Sequence, residues 1–280
     1  MTAGEPAGRL SGRTCLVTGS TGIAAAAAER FVAEGASVVV VSRTTSHVEE
    51  LVERLRAGGG RAAGRTADLT DEGAAVEAVA AARAEFGRID GLFAVAGGSG
   101  RRFGDGPLHE IGLDAWEATF TLNLTTQFLV MREALRAMLE QLPGPAGRGA
   151  IVLTSSVSAF HPAPAKFGAH AYAAAKAAVL GLVRTTSAYY APAGIRVNAI
   201  APGLVRTPMS ARAQADPTVQ ADAGRRQPLT GPFLEPSDVA AAAAYLLADE
   251  SRAVTGQILD VDGGWSVSDA SAWAGPKVVT

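Results

Sequence analysis

Tyr172 and Lys176 stand four residues apart in the run Ala171-Tyr172-Ala173-Ala174-Ala175-Lys176. Alanine is the strongest helix former, so the run reads as helix. Four helical residues rise about 6 Å and come back to the same face. The two side chains are therefore expected one turn apart and pointing the same way. A free phenol ionises near pH 10 and is a poor acid or base at neutrality. A neighbouring ammonium favours the phenolate and should lower that value. The pair could thus act as a general acid/base unit. The same spacing also occurs on helices that only pack, so its meaning depends on what the rest of the chain builds around it.

The elements that would position the pair alternate between strand and helix. Thr14 to Thr18 is a short apolar run that ends in Gly19-Ser20-Thr21-Gly22. An alanine-rich helix begins near Ile23 and stops by Gly35, and Ser37 to Val41 is nearly all valine. A run with that composition reads as a strand buried on both faces of a parallel sheet. Strand, glycine turn, helix and strand together make a βαβ unit. The pattern continues with helices over 47–57, 71–86, 113–142 and 171–190. Strands are expected over 61–66, 92–96, 150–154, 196–200 and 257–261, and Ser237 reads as the N-cap of a helix running through Leu247. Seven strands with no break in composition indicate one α/β domain, a single Rossmann-like doubly wound parallel sheet flanked by helices, over 13–265. Residues 1–12 read as a loose polar arm and 266–280 as a tail without periodicity. Residues 203–236 carry Pro208, Pro217, Pro228 and Pro232 and read as a substrate lid.

In a βαβ unit, glycines after the first strand let a pyrophosphate approach the backbone at the helix N-terminus. Thr18-Gly19-Ser20-Thr21-Gly22-Ile23-Ala24 has that context, although an ordinary glycine turn would read the same way. An acidic residue at the end of the second strand would suit the ribose hydroxyl of NAD. Here the strand ends in Val41-Ser42-Arg43-Thr44, and Arg43 favours the 2′-phosphate of NADP, with NAD as the alternative.

Composition excludes several other classes. In 280 residues, 48% are hydrophobic and 19% charged, with a net charge of −2, which supports a sizeable core and gives no basic stripe for nucleic acid. The single cysteine, Cys15, cannot form a disulfide within the chain, and its apolar neighbours suggest packing. No apolar run is long enough to span a membrane and the start lacks an apolar signal core, so the expected location is cytoplasmic. No metal site is expected.

Several stretches, in order, resemble the short-chain dehydrogenase/reductase family over roughly 12–265. They are Thr18-Gly19 with Gly22, Ala67-Asp68-Leu69, Asp90-Gly91-Leu92 leading to Ala96-Gly97, Asn123, Ser155-Ser156, and Tyr172 with Lys176. Asn198 through Gly203, Thr207, Thr255-Gly256-Gln257 and Asp262-Gly263-Gly264 continue the set. The resemblance implies hydride transfer between a nicotinamide cofactor and a secondary alcohol or ketone. It implies a Ser-Tyr-Lys-Asn tetrad. Tyr172 would exchange a proton with the substrate oxygen, Ser156 would bond that oxygen, Lys176 would hold the nicotinamide ribose, and Asn123 would hold a relay water. Gly19, Thr21, Gly22, Ile23, Ala96 and Gly97 would border the cofactor. Asp68 and Leu69 would sit near its adenine, and Pro202, Gly203, Val205 and Thr207 would line the nicotinamide pocket. The resemblance also implies a homotetramer or homodimer, with Trp273 in the tail reaching a neighbour; Leu180, Val183 and Tyr189 fit an outer face of that assembly or, equally, core packing.

Three features depart from the family pattern. The glycine turn is one residue shorter, with Ala24 in the third glycine's place, a spacing that resembles the extended epimerase or dehydratase branch. Ala94-Val95 stands where asparagines are usual, so apolar packing is expected to replace their bonds. The segment between Ser156 and Tyr172 is long; within it His161, Lys166 and His170 are potential substrate ligands or merely solvated. Arg101-Arg102 and Arg225-Arg226 are open to the same two readings. Phe103, Phe160, Phe167, Leu204 and Met209 are expected to form an apolar substrate wall. An extended-branch enzyme usually carries a larger C-terminal domain, and a non-catalytic NADP sensor usually lacks the tyrosine or lysine.

Overall fold

The computed structural model describes residues 8–269. Its strands are β1 (Thr14–Thr18), β2 (Ser37–Ser42), β3 (Ala62–Thr66), β4 (Gly91–Ala94), β5 (Gly149–Thr154), β6 (Ile195–Pro202) and β7 (Ile258–Val261). All neighbours pair in parallel, in the order β3-β2-β1-β4-β5-β6-β7. Helices α1 (Ile23–Ala33), α2 (Thr45–Ala57), α3 (Glu72–Phe86), α4 (Leu113–Phe120) and α5 (Thr126–Glu140) make the crossovers up to β5. Then α6 (Pro164–Phe167) and α7 (His170–Tyr190) lead to β6, while α8 (Ala211–Gln214), α9 (Pro217–Arg226) and α10 (Pro236–Leu247) lie between β6 and β7.

Side chains on a strand alternate between faces, and both faces of this sheet are covered. Val38 and Val40 pack with α1, α2 and α10, whereas Val39 and Val41 pack with α3 and its neighbours, and all four are fully buried. Each such valine contributes about 1.5–3 kcal/mol by leaving water. The strand order reverses between β1 and β4, and a crevice opens beyond their carboxyl ends, where doubly wound sheets bind ligands.

Most expected elements appear with their ends shifted by one or two residues. The expected helix over 113–142 is interrupted by one π turn, Thr121–Thr125, because polar side chains there take backbone acceptors. Asn123 Nδ2 donates to the Thr119 carbonyl at 3.0 Å and Thr126 Oγ1 to that of Thr121 at 3.0 Å. The cap of α10 is Glu235, not Ser237, since Pro236 fits the first helical position and the Glu235 amide donates to Asp238 Oδ2 at 2.8 Å. Residues 8–12 are not a loose arm: Leu10 is fully buried and its amide donates to the Glu34 carbonyl at 3.0 Å. Val183 faces the core rather than outward, whereas Tyr189 is exposed. Trp273 lies outside the described residues.

The segment after β6 is not a bare loop, because α8 and α9 fold within it. Val205 and Leu234 form a parallel bridge where the segment leaves and returns. Fully buried Gln227 accepts the Leu204 amide at 2.5 Å and donates to the Gly231 carbonyl at 3.2 Å, fixing the interior of the segment.

Candidate active site

The turn after β1 forms one wall of a cleft of about 690 Å³ at the sheet's carboxyl edge. Gly19 and Gly22 have φ of 101° and 55°, values that L side chains rarely adopt. A Cβ on Gly22 would also lie 2.8 Å from Thr207 Cγ2, so glycine is required by both conformation and space. The turn places the start of α1, with its amide-rich positive end, against the cleft. Thr18 Oγ1 accepts the Val95 and Ala96 amides at 3.0 and 2.9 Å. A threonine hydroxyl, rather than apolar packing alone, therefore ties β1 to the chain leaving β4. Arg43 Nη1 lies 3.8 Å from Asp68 Oδ2 on the same cleft, both side chains about half exposed. Burial works to raise the Asp68 carboxyl, but bonds from Thr70 and the Arg43 charge hold it below its ordinary value.

The acid/base side of the cleft is held by buried polar bonds. Lys176 is buried and donates from Nζ to the Thr154 carbonyl at 2.8 Å. Its ammonium nitrogen lies 5.7 Å from the centre of the Tyr172 ring, one helical turn back as the spacing requires. Ser156 closes β5 beside them, and Ser155 Oγ donates to the Lys176 carbonyl at 2.9 Å, locking α7 to that strand end. Fully buried Asn123 accepts the Gly98 amide at 3.1 Å and donates back to the Gly98 carbonyl at 3.0 Å, which holds the backbone after β4 close to the cleft.

No local pattern in the sequence points to two further groups. Buried Asp105 accepts the Ala171 and Tyr172 amides at 3.0 and 2.9 Å, so it caps α7 at the turn that carries the tyrosine. Gln127, fully buried, donates to the Asn123 and Thr154 carbonyls at 2.8 and 3.0 Å and accepts the Thr154 amide at 2.9 Å. The amides that Asp105 caps and the Thr154 that Gln127 brackets are far away in sequence, which is why only the fold reveals these groups.

Burial has a large effect on the charges at this site. It pushes Lys176 down from 10.5 to about 7. It also raises Tyr172 above its ordinary value, with the Ser156 hydroxyl pulling the other way. The expectation of a lowered tyrosine is therefore not met: desolvation of the phenolate sets the direction, and the same burial pushes the lysine towards its neutral form.

The substrate wall forms in part as expected. Phe167, Leu204 and Met209 line the cleft, together with Val157, Ala169 and Trp265. The Phe167 and Trp265 rings meet edge to face at 5.1 Å, and Trp265 Nε1 donates to the His161 carbonyl at 3.2 Å. Phe103 and Phe160 do not line it: Phe103 lies under the Arg102 guanidinium and Phe160 against His161. Two polar side chains of the long segment also turn elsewhere, Lys166 Nζ to Thr218 Oγ1 at 3.1 Å and His170 Nδ1 to the Gly106 carbonyl at 2.7 Å. Arg225 and Arg226 pair with Asp222. Asn123, Ser156, Tyr172, Lys176 and every residue expected to touch the cofactor line the one cleft. Among the described residues no cluster of metal-ligating side chains occurs, and no helix is long and apolar enough to cross a membrane.

The doubly wound sheet, the glycine turn, the buried lysine and the serine–tyrosine pair thus meet on one cleft. The family model described as enoyl-(acyl carrier protein) reductase matches residues 17–266. The chain belongs to the short-chain dehydrogenase/reductase family. It is 38% identical over 254 residues to a cis-4-hydroxycyclohexanecarboxylate dehydrogenase of Sinomonas cyclohexanicum, covering 91% of this chain and 96% of that one. It is 39% identical to an A-factor type gamma-butyrolactone 1′-reductase of Streptomyces virginiae, covering 93% and 98%. A solved structure from Beutenbergia cavernae, described as an NAD(P)-dependent gluconate 5-dehydrogenase with bound NADP at low occupancy, superposes with a TM-score of 0.83 at 35% identity, covering 92% and 98%. These relatives are named a dehydrogenase and a reductase, and this chain is an oxidoreductase of the same family.

Proposed function

We propose that the protein interconverts a secondary alcohol and a ketone with a nicotinamide dinucleotide, NADP in preference to NAD. The observation that carries this reading is the convergence of Ser156, Tyr172, Lys176 and Asn123 on the cleft that the glycine turn borders. The cleft suits a dinucleotide. Gly22 and Gly97 present bare backbone to it, and neither position has room for a Cβ, which would come within 2.8 Å of Thr207 Cγ2 and of Asn123 Oδ1 respectively. When bound, the nicotinamide supplies the hydride donor or acceptor, and the chain supplies orientation and proton transfer.

Gly19, Thr21, Gly22 and Ile23 would hold the pyrophosphate, Asp68 and Leu69 the adenine, and Pro202, Gly203, Val205 and Thr207 the carboxamide end. Ala96 and Gly97 would border the ribose that Lys176 binds. Ser156 and Tyr172 would both hydrogen-bond the substrate oxygen. A phenol held above its ordinary value stays protonated at neutral pH, which suits donation to a ketone oxygen. Asn123, whose carbonyl accepts Gln127 Nε2, would hold a water that passes protons to Lys176. Arg43 would pair with the 2′-phosphate, a stronger anion than the Asp68 carboxylate it now faces. Two or four copies would assemble through α5 and α7, where Phe128, Leu139 and Tyr189 are exposed; a monomer in sedimentation removes that interface.

Fluorescence titration with NADPH and NADH, followed by oxidation of a panel of cyclic and open-chain secondary alcohols, tests the reading. Tighter NADPH binding and turnover of at least one alcohol are expected. Tyr172→Phe should abolish turnover and leave dinucleotide affinity nearly intact. A Tyr172→Phe enzyme that keeps most of its activity refutes the proton role.

A further inference from the structure

The charges around the cleft are strongly one-sided. Of the described residues that line it, Asp68 alone is a carboxylate, against the cations Arg43, Arg101, Arg102, Arg212 and Lys176. Asp68 answers Arg43 and also feels Arg102, which groups those two arginines with it. Arg101 and Arg212 are different, since neither has a carboxylate partner among the described residues. Asp105 is near enough to influence Arg101, but both its oxygens are taken by the Ala171 and Tyr172 amides.

The two guanidinium groups approach the same short strap from different elements. Arg101 Nη2 donates to the Gly168 carbonyl at 2.8 Å, and Arg212 Nη2 donates to the Lys166 carbonyl at 3.3 Å. Between those carbonyls sits Phe167, whose ring packs on Trp265 in the substrate wall. Each guanidinium has five N–H donors and uses one in this way, so most of the fork stays available. Burial, followed by the Arg212 charge, makes it harder for Arg101 to hold its proton. Two like charges brought together without an anion between them raise each other's energy, and a carboxylate placed there would relieve both.

We infer that Arg101 and Arg212 form an anion clamp, and that the substrate is a carboxylate-bearing secondary alcohol or its keto acid, with the acid separated from the reacting carbon by an apolar ring or chain. The spacer lies against Phe167 and Met209, while the alcohol oxygen reaches Ser156 and Tyr172. This assignment rests on the alcohol–ketone reading above and adds the class of substrate.

The test uses the whole chain with NADP at saturation. Calorimetry first compares cyclohexanecarboxylate, which cannot react, with cyclohexanecarboxamide, which has the same shape without the charge. The acid should bind at least about tenfold more tightly than the amide, as expected for a charge-assisted pair. Arg101→Gln and Arg212→Gln should each remove most of that preference. Steady-state kinetics on hydroxycyclohexanecarboxylates and their amides should show the same shift, with KM for the acid rising about 10- to 100-fold in either variant. If the arginines only pin the strap, both ligands weaken in parallel and the acid-to-amide ratio does not move, which overturns the clamp. Equal binding of acid and amide by the unaltered protein overturns it as well. Because calorimetry needs no turnover, a preference for the acid without oxidation of any alcohol keeps the clamp and refutes the alcohol–ketone reading instead.

Discussion

Replacing Lys176 by methionine gives a stability signature that depends on pH. The lysine is buried and held at about 7, against an ordinary value of 10.5. Its folded-state value is depressed, so the unfolded chain binds the proton more tightly. Below pH 7 both states are charged and the full penalty of burying an ammonium is present, on the order of 4–5 kcal/mol. Between pH 7 and 10.5 the folded protein has released a proton that the unfolded chain still holds, so stability rises with pH. From pH 7 to pH 9 the rise is roughly 2 kcal/mol, and from pH 6 to 7 only a few tenths. Methionine fills similar volume without charge. The Thr154 carbonyl keeps its bond from Gln127 Nε2 at 3.0 Å, so no acceptor is orphaned. Urea unfolding followed by circular dichroism, in both proteins from pH 6 to 9, isolates the lysine as a difference curve. The raised Tyr172 titrates above that window. Wild type should gain on the variant by roughly 2 kcal/mol between pH 7 and 9, bending near 7. A flat difference curve would show that Lys176 keeps its ordinary value and would remove the half-charged lysine from the mechanism.

Two further outcomes follow from the site's supports. Asp105→Ala should cost about 1–2 kcal/mol in urea unfolding, because it removes the cap from two amides at the start of α7; an unchanged midpoint would mean that water replaces the carboxylate without loss. Gly22→Ala should weaken NADPH binding by tenfold or more, since φ of 55° and the approach to Thr207 both resist a methyl group. Unaltered affinity in the fluorescence titration would show that the short turn has room to shift.

The parts of the fold legible in the sequence were those set by local chemistry. Valine runs marked β2, glycines marked the turns, and the alanine-rich stretch around Tyr172 marked α7. The π turn at Asn123 could not be read, because it depends on where Thr119, Gly98 and Gln127 find partners after folding. Glu235 does not stand out as a cap because serine, threonine, aspartate and asparagine are the favoured cap residues, and Ser237 lies two positions on. That Asn123, Ser156, Tyr172 and Lys176 would line one cleft was legible from their order in the chain. Their electrostatics were not: the direction of the Tyr172 shift depends on burial, which spacing alone does not contain. Asp105 was invisible for a related reason, since its partners lie more than sixty residues along the chain.

The bridge between Val205 and Leu234 has a bearing on how such enzymes diversify. The Leu234 amide donates to the Leu204 carbonyl and the Arg206 amide to the Leu234 carbonyl, both at 2.9 Å, so the two ends of this segment leave the sheet side by side. The stretch between them, Met209 and Arg212 included, is braced internally by Gln227 and touches the rest of the chain through side-chain contacts such as Arg212 with the Lys166 carbonyl. The residues proposed to handle protons lie instead just after β5, in the π turn ahead of α5 and on α7. A gene encoding this protein could therefore exchange the intervening stretch at two neighbouring points and present a new specificity face without disturbing Tyr172 or Lys176, which makes the segment a natural unit for recombination and for laboratory grafting.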